Sequence, residues 1–367
     1  MREKETTLYI GPQHPGITGN MMVRLKVTGD TIVKATTEVG YLHRAFEKLQ
    51  EQRNWLQCFT LMCRFCVPEP DPAEESYARA VELLEGREVP ERAKYIRVLV
   101  LELARLGAYM LWYGGQNGSL GLYTVGQWSV GDRNYILDLF EELTGGRVYH
   151  MYIWPGGVRR DLPKGFEEKV LRTMDYLENR LKDYDDLMFD NTIFQKRTQG
   201  IGIVSKEKAI EWGVVGPVLR GCGIKSDIRI DDPYEVYDRL DFEVPTQEGG
   251  DIWARALVRR QEVRQSIRII RQVIEQMPSG EYYNRIPNPQ KWALPKGDAY
   301  ARTESVRGEV GMYIASDGGT KPRRTHFRGA AYVHGVTLLE KVLVGANISD
   351  VSPIMNSLGV CPPEIER

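Results

Sequence analysis

A chain of 367 residues, 42% of them hydrophobic, is long enough for one large domain or two ordinary ones and can bury a sizeable core. Forty-nine Lys and Arg against 50 Asp and Glu leave a net charge of −1, which argues against a nucleic-acid binder held by a broad basic surface. No apolar run approaches the length of a membrane span, no signal peptide precedes the first strand, and five sparse cysteines do not make a disulfide scaffold, so a reduced cytosolic chain is expected.

In chain order, residues 7–10, 21–28 and 31–39 alternate like short strands, with a turn at Thr28-Gly29-Asp30 between the last two. Helical patterns follow at 43–59 and 73–86. A longer helix is expected after Pro90, stopping near Tyr113 at Gly114-Gly115. Its apolar part carries Arg97, Glu102 and Arg105, so it reads as a buried soluble helix. Another helix covers 129–143 and ends at Gly145-Gly146. Residues 147–154 read as a strand and Gly156-Gly157 as a turn. The stretch 163–189 is helical with a solvated face. Asp251 caps a long helix to Met277 whose polar side is rich in Arg. A Pro-rich irregular excursion at 278–300 precedes strands at 308–316 and 323–333, and helices at 335–345 and 349–357 close the chain. The expected fold class is mainly α with small antiparallel β elements near both ends. It is read as one intertwined domain: an N-terminal sheet element to residue 40, a helical core at 41–300, and a hairpin and tail at 301–367.

Three stretches carry candidate chemistry. Cys63-x-x-Cys66, with Cys58 close by, offers three thiols where zinc needs about four ligands and no second pair lies nearby. Ordinary buried thiols are the plain alternative. Cys361 is the seventh residue from the end, either incidental or placed. The loop at 11–16 sets His14 among two prolines and two glycines. It is either a structural turn or a loop presenting a donor into a cavity. Residues 303–319 read as a hairpin with charges at one end and glycines that permit close backbone approach. They lack the Lys-Ser/Thr of a phosphate loop.

Together with 42–49, 152–158 and 364–367, these stretches resemble the superfamily that unites the quinone-binding large subunit (49-kDa type) of respiratory complex I with the large subunit of nickel–iron hydrogenases. The resemblance spans essentially the whole chain and implies that superfamily's fold. It also fixes a register. Trp55-Leu56-Gln57 and residues 77–82 match family positions, so Arg64-Phe65-Cys66 falls on the Arg-x-Cys of hydrogenases. Cys66 then stands for the first cysteine of the first metal-binding pair and Glu69 replaces the second. Cys361 stands for the first of the second pair and Glu364 replaces its partner. The visible Cys-x-x-Cys is therefore misleading: Cys63 lies outside the motif. These vestigial positions imply that no nickel–iron centre assembles here, because it needs soft thiolates from both pairs.

The quinone chemistry that the resemblance would imply is also depleted. The position of the head-group Tyr is Val67, that of the Asp is Ser119, and that of the head-group His falls near Thr18, although the loop keeps His14. The family's cluster-side His is Tyr149, with His150 adjacent. Both losses fit the Mbx-type membrane complexes of anaerobic heat-loving microbes. Resemblance to that branch implies an ion-pumping sulfane sulfur reductase acting on polysulfide, with electrons from a 4Fe–4S cluster in a partner small subunit. It implies no cofactor bound by this chain. It also implies further hydrophilic subunits, membrane subunits that pump the ion, and a place on the cytoplasmic face of the membrane. Cys66 and Cys361 would form the mixed persulfide, Arg64 would stabilise negative charge near the cluster, and Glu69 and Glu364 would relay protons. Two alternatives stay open: a quinone- or phenazine-binding subunit of a complex I-like dehydrogenase, and a non-catalytic coupling subunit.

Overall fold

The computed structural model describes residues 5–14 and 19–367; the head-group position at Thr18 lies outside them. The chain opens with three strands, β1 (Thr6–Ile10), β2 (Met22–Thr28) and β3 (Thr31–Glu38), paired antiparallel in that order. Val23, Leu25 and Val27 alternate inward on β2, which is why this short meander has a buried face. That face packs on helices from the far end of the sequence: Ile32 N donates to Ala346 O, and Thr37 N donates to Glu340.

The expected helix at 43–59 is instead two short ones, Phe46–Gln50 and Phe59–Met62, joined by turns. Tertiary pairing overrides the pattern. Trp55 donates its backbone N–H to Thr320 O and its indole N–H to Gly319 O, while Asn54 Oδ1 accepts from Gln57 N and starts a new turn. Next comes α1 (Asp71–Glu85), closed by Gly86 in the left-handed conformation. Helix α2 (Glu91–Ser119) runs straight through Gly114-Gly115 instead of stopping there. Those glycines serve contact rather than termination. A Cβ on Gly114 would lie 2.8 Å from Val130 Cγ2, and one on Gly126 would lie 3.2 Å from Gly114 O. The glycines thus allow α3 (Tyr123–Thr144) to cross α2 closely.

The expected strand at 147–154 shrinks to β4 (Ile153–Trp154), paired with β5 (Gly157–Val158). Upstream, Glu74 takes the N–H groups of Met151, Tyr152 and Ile153, so they are not free to pair in a ladder. The charged segment forms α4 (Phe166–Tyr184), continued by a π-helical turn to Phe189. Helix α5 (Ile252–Gln276) starts where expected, with the Asp251 carboxylate accepting from Ala254 N. Its arginines are not all solvated, however. Arg255 and Arg259 are buried, whereas Arg260 and Arg264 pair with Asp185 outside the core.

The last sheet is β6 (Lys296–Ser305), β7 (Gly308–Asp317) and β8 (Arg324–Arg328). Strand β6 extends into what the sequence reads as the Pro-rich excursion, and β8 ends earlier than expected. Ser305 pairs with Gly308, leaving Val306-Arg307 as a two-residue hairpin loop. Gly216, at φ +65°, backs onto that loop: a Cβ there would lie 2.3 Å from Arg307 O. After residues 330–343, α6 (Val351–Leu358) and α7 (Pro362–Glu366) complete the fold. Among the described residues no helix is long and apolar enough to cross a membrane.

Buried ion pairs tie α1, α2, α5 and the hairpin together. Arg97 meets Glu82, Glu235 and Glu75 at 2.5, 3.0 and 3.8 Å. Arg220 meets Glu262 at 2.6 Å and Glu304 at 2.9 Å, and Arg229 meets Glu102 at 3.0 Å. Burying these charges is expensive, and each pairing fixes which helix faces which.

Candidate active site

Cys66 follows the Phe59–Met62 helix, and Cys361 precedes α7. The stretch 42–44 brings them together by clamping residues 363–367. Arg44 N donates to Arg367 O, the Arg44 guanidinium donates to Pro363 O, and His43 Nδ1 lies 2.7 Å from Glu366 O. As a result, ligand atoms of Cys66, Cys361 and Glu364 all lie within 4.8 Å of one another, and all three residues are buried. Arg307, from the hairpin loop, completes the group. Its Nη1 lies 3.0 Å from Cys66 Sγ and 3.7 Å from Glu364 Oε2, while Nε donates to Gly359 O.

The two thiols form one titrating pair. The Cys66 thiol beside it, and behind that the Arg307 guanidinium, bring Cys361 down to about 7, while burial pushes Cys66 up. Arg307 is held charged by Cys66, Cys361 and Glu364. Glu364 is raised by burial, although its Oε1 accepts from Ala331 N. Two thiols and one carboxyl beside a guanidinium do not fit a nickel–iron centre, which needs soft thiolates at the bridging positions. A cation already stands against the sulfur.

Glu69 sits apart from that triad, under the hairpin loop. Its Oε2 accepts from Val306 N at 2.8 Å, and its buried Oε1 has no hydrogen-bond partner among the described residues. Burial raises it to about 8, against an ordinary value of 4.5. Between those values the folded state keeps a proton that the unfolded chain has lost. Stability therefore falls as pH rises through that window, by at most about 1.4 kcal/mol per unit for this group. Glu69→Gln is expected to flatten the stability profile by that amount between pH 5 and 8, as read from denaturation midpoints at each pH.

A cavity of about 330 Å³ opens onto Cys361. Val67 stands in its wall, as expected, with Leu111, Trp112 and Val360; Arg259 and Arg307 are its charged residues. Ser119 is one turn beyond the lining residue Gly115, and its hydroxyl donates to Gln116 O instead. His14 is exposed and not among the lining residues. Arg64 turns away from Cys66: its guanidinium lies 3.1 Å from Cys63 Sγ and 5.1 Å from the Tyr149 ring centroid. Cys63 and Cys58 are buried thiols raised to about 12 by desolvation, and neither joins the cluster. His150 is engaged with Asp71 at 3.0 Å. Arg307 and Arg259 are the site residues that the sequence reading did not single out. The first lies inside the 303–319 hairpin and the second on the Arg-rich helix.

The family description "Respiratory-chain NADH dehydrogenase, 49 Kd subunit" matches residues 119–367. The chain belongs to this 49 kDa subunit family. It is 48% identical over 365 residues to an NADH-quinone oxidoreductase subunit from Thermosipho melanesiensis, covering 99% of this chain and 100% of that one. It is 38% identical over 374 residues to an F(420)H(2) dehydrogenase subunit from Methanosarcina mazei, covering 100% and 99%. A chain in the structure of the membrane-bound sulfane sulfur reductase, an archaeal respiratory membrane complex, superposes with a TM-score of 0.97 at 47% identity over the whole of both chains. The 49 kDa-type fold and the place in an oxidoreductase subunit family expected from the sequence are both met.

Proposed function

We propose that this 49 kDa-type subunit is the substrate-reducing subunit of a membrane-bound, ion-pumping respiratory complex and cleaves sulfane sulfur bonds. The observation that carries the reading is the meeting of Cys66 and Cys361, 295 positions apart in sequence, with Glu364 and Arg307, where Cys361 and Arg307 line a cavity. The likeness to the sulfane sulfur reductase chain supports it. The positions that would hold a quinone head group, Val67 and Ser119, offer respectively no donor and one turned away.

A thiolate at Cys361 attacks the S–S bond of the substrate. One half leaves as a thiol after taking a proton, and the other remains as a mixed disulfide or persulfide on Cys361. Two electrons and one further proton cleave that bond, restore the thiolate and release the second half. The net change is one S–S bond broken for two electrons and two protons. Arg307 and the Cys66 thiol hold the negative charge; Glu69, raised by burial to about 8, carries a proton near neutrality, and Glu364, also raised by burial, stands beside the thiols. A 4Fe–4S cluster takes about four cysteines and two thiols come together here among the described residues, so a cluster held by a partner small subunit would supply the electrons. Arg64 on Tyr149 would face that partner.

The test uses the purified complex with its electron donor, comparing methanethiol release from dimethyl trisulfide and sulfide release from polysulfide with reduction of a quinone. Sulfide release that falls about a thousandfold or more in Cys361→Ala is expected. Unchanged sulfide release in that variant would remove the thiol mechanism. Turnover with quinone alone would favour the second reading, a quinone or phenazine site. Tyr109, a phenol in the cavity wall whose hydroxyl donates to the buried Glu262, is the observation on its side.

A further inference from the structure

Arg259 stands in the cavity wall while only 2% exposed, and it forms no ion pair within 4.0 Å among the described residues. Arg97, Arg105, Arg220, Arg229 and Arg307, also buried, each have a carboxylate. Arg255, one turn earlier, donates instead to Gly250 O, Gly202 O and Ser357 Oγ. Arg259 has Nη1 on Arg255 O and its guanidinium 4.7 Å from the Trp112 ring centroid. The guanidiniums of Arg255, Arg220 and Arg307 all repel it. A guanidinium keeps its charge even when buried, and a buried charge without a counter-ion is costly. An anion entering the cavity would offset that cost.

The rest of the wall decides what kind of anion. Val67, Leu111, Trp112, Val306 and Val360 are apolar, and Arg307 stands at the thiol end. Two cations on an apolar wall suit a chain of soft, weakly hydrated atoms that carries its charge at the ends. We propose that Arg259 is a specificity-determining residue that binds one terminus of an inorganic polysulfide dianion and so selects charged over uncharged sulfur substrates, a proposal that rests on the sulfane sulfur reading of this cavity. The attacked sulfur lies toward Cys361, with Arg307 beside it. An uncharged organic polysulfide gains nothing from Arg259.

Two readouts on the assembled complex separate this inference from that reading. The first needs no turnover: alkylation of Cys361 by iodoacetate and by iodoacetamide, followed by peptide mass spectrometry. In the folded wild type the iodoacetate-to-iodoacetamide rate ratio is expected to exceed the ratio in the urea-unfolded chain. It is expected to fall about tenfold or more in Arg259→Met and to be largely kept in Arg259→Lys. A folded ratio equal to the unfolded one, a ratio unchanged in Arg259→Met, or no alkylation of Cys361 by either reagent would overturn the anion site. If Arg259→Met does not assemble, the wild-type comparison still decides. The second readout is KM. Arg259→Met should raise it about tenfold or more for tetrasulfide and leave it nearly unchanged for dimethyl trisulfide. An equal rise for both would also overturn the proposal. A wild type that turns over no sulfur compound yet shows the alkylation preference would sink the reading of the reaction and leave the anion site standing.

Discussion

Arg307→Gln is expected to abolish most of the turnover while leaving the fold in place. The guanidinium reaches Cys66 Sγ, Glu364 Oε2 and Gly359 O from a two-residue loop, so it is the cation that stands against the thiol pair. A unit charge about 4 Å away in a partly shielded interior is worth about 4 kcal/mol, or roughly three pH units on a titrating neighbour. Losing even two thirds of that would raise the first ionisation of the thiol pair from about 7 to near 9, a shift of about two units. The thiolate fraction at pH 7 would fall by roughly fiftyfold, and turnover with it. The rate of iodoacetamide alkylation of Cys361 against pH measures this directly: its midpoint should move up in Arg307→Gln and remain low in Arg307→Lys. An unmoved midpoint in Arg307→Gln would show that Arg307 does not set the charge of the pair.

The largest expected loss of stability is in Arg97→Leu. Arg97 is fully buried among Glu75, Glu82 and Glu235, and it also donates to Trp154 O and Gly157 O. Glu75 is fully buried, and burial, then Glu235, raises its carboxyl. Without the cation three carboxyls share one dry pocket. Stripping one partner from such a cluster costs about 3–5 kcal/mol. The sign with pH is fixed. Glu75 and Glu82, already raised by burial, are raised further in the folded state without the cation, so the variant is least penalised at low pH and loses stability as pH rises above the ordinary carboxylate range. Urea midpoints at pH 5 and pH 8 should show the gap to wild type widening at pH 8. A gap that is equal or smaller at pH 8 would mean that the cluster is not charge-balanced by Arg97.

Local rules read much of this fold correctly. Alternation located β1, β2 and β3, Asp251 marked the start of α5, and Gly145 marked the end of α3. They failed where a distant partner decides the local structure. Gly114 reads as a stop signal until Val130 is seen against it, and Trp55 fits a helix until Thr320 takes its N–H. Tyr149 and Met151 lie at positive φ beside N–H groups held by Glu74, which no alternation pattern can reveal.

The site divides the same way. Cys66, Cys361 and Glu364 were found through the family register, not through the Cys-x-x-Cys pair that first catches the eye, and they do converge. Glu69 sits under the hairpin loop outside that triad, Ser119 turns from the cavity, and Arg64 faces Tyr149. Arg307 was legible only as a charge near a tight turn, because its partner Cys66 is 241 positions away. Arg259 looked like one more arginine on a polar helix face. Its burial comes from packing against Trp112 and Arg255, which helical periodicity does not show.

The most direct measurement is a single-turnover trap. The complex, with its thiols reduced and no electron donor present, would be mixed with isotopically labelled tetrasulfide, quenched in acid and digested. The peptide carrying Cys361 is expected to gain labelled sulfur, to lose it on addition of the electron donor, and to release it as labelled sulfide. An unmodified Cys361 peptide in a complex that still produces labelled sulfide would contradict the account, because the sulfur bond would then be cleaved without the thiol that the fold brings to the cavity.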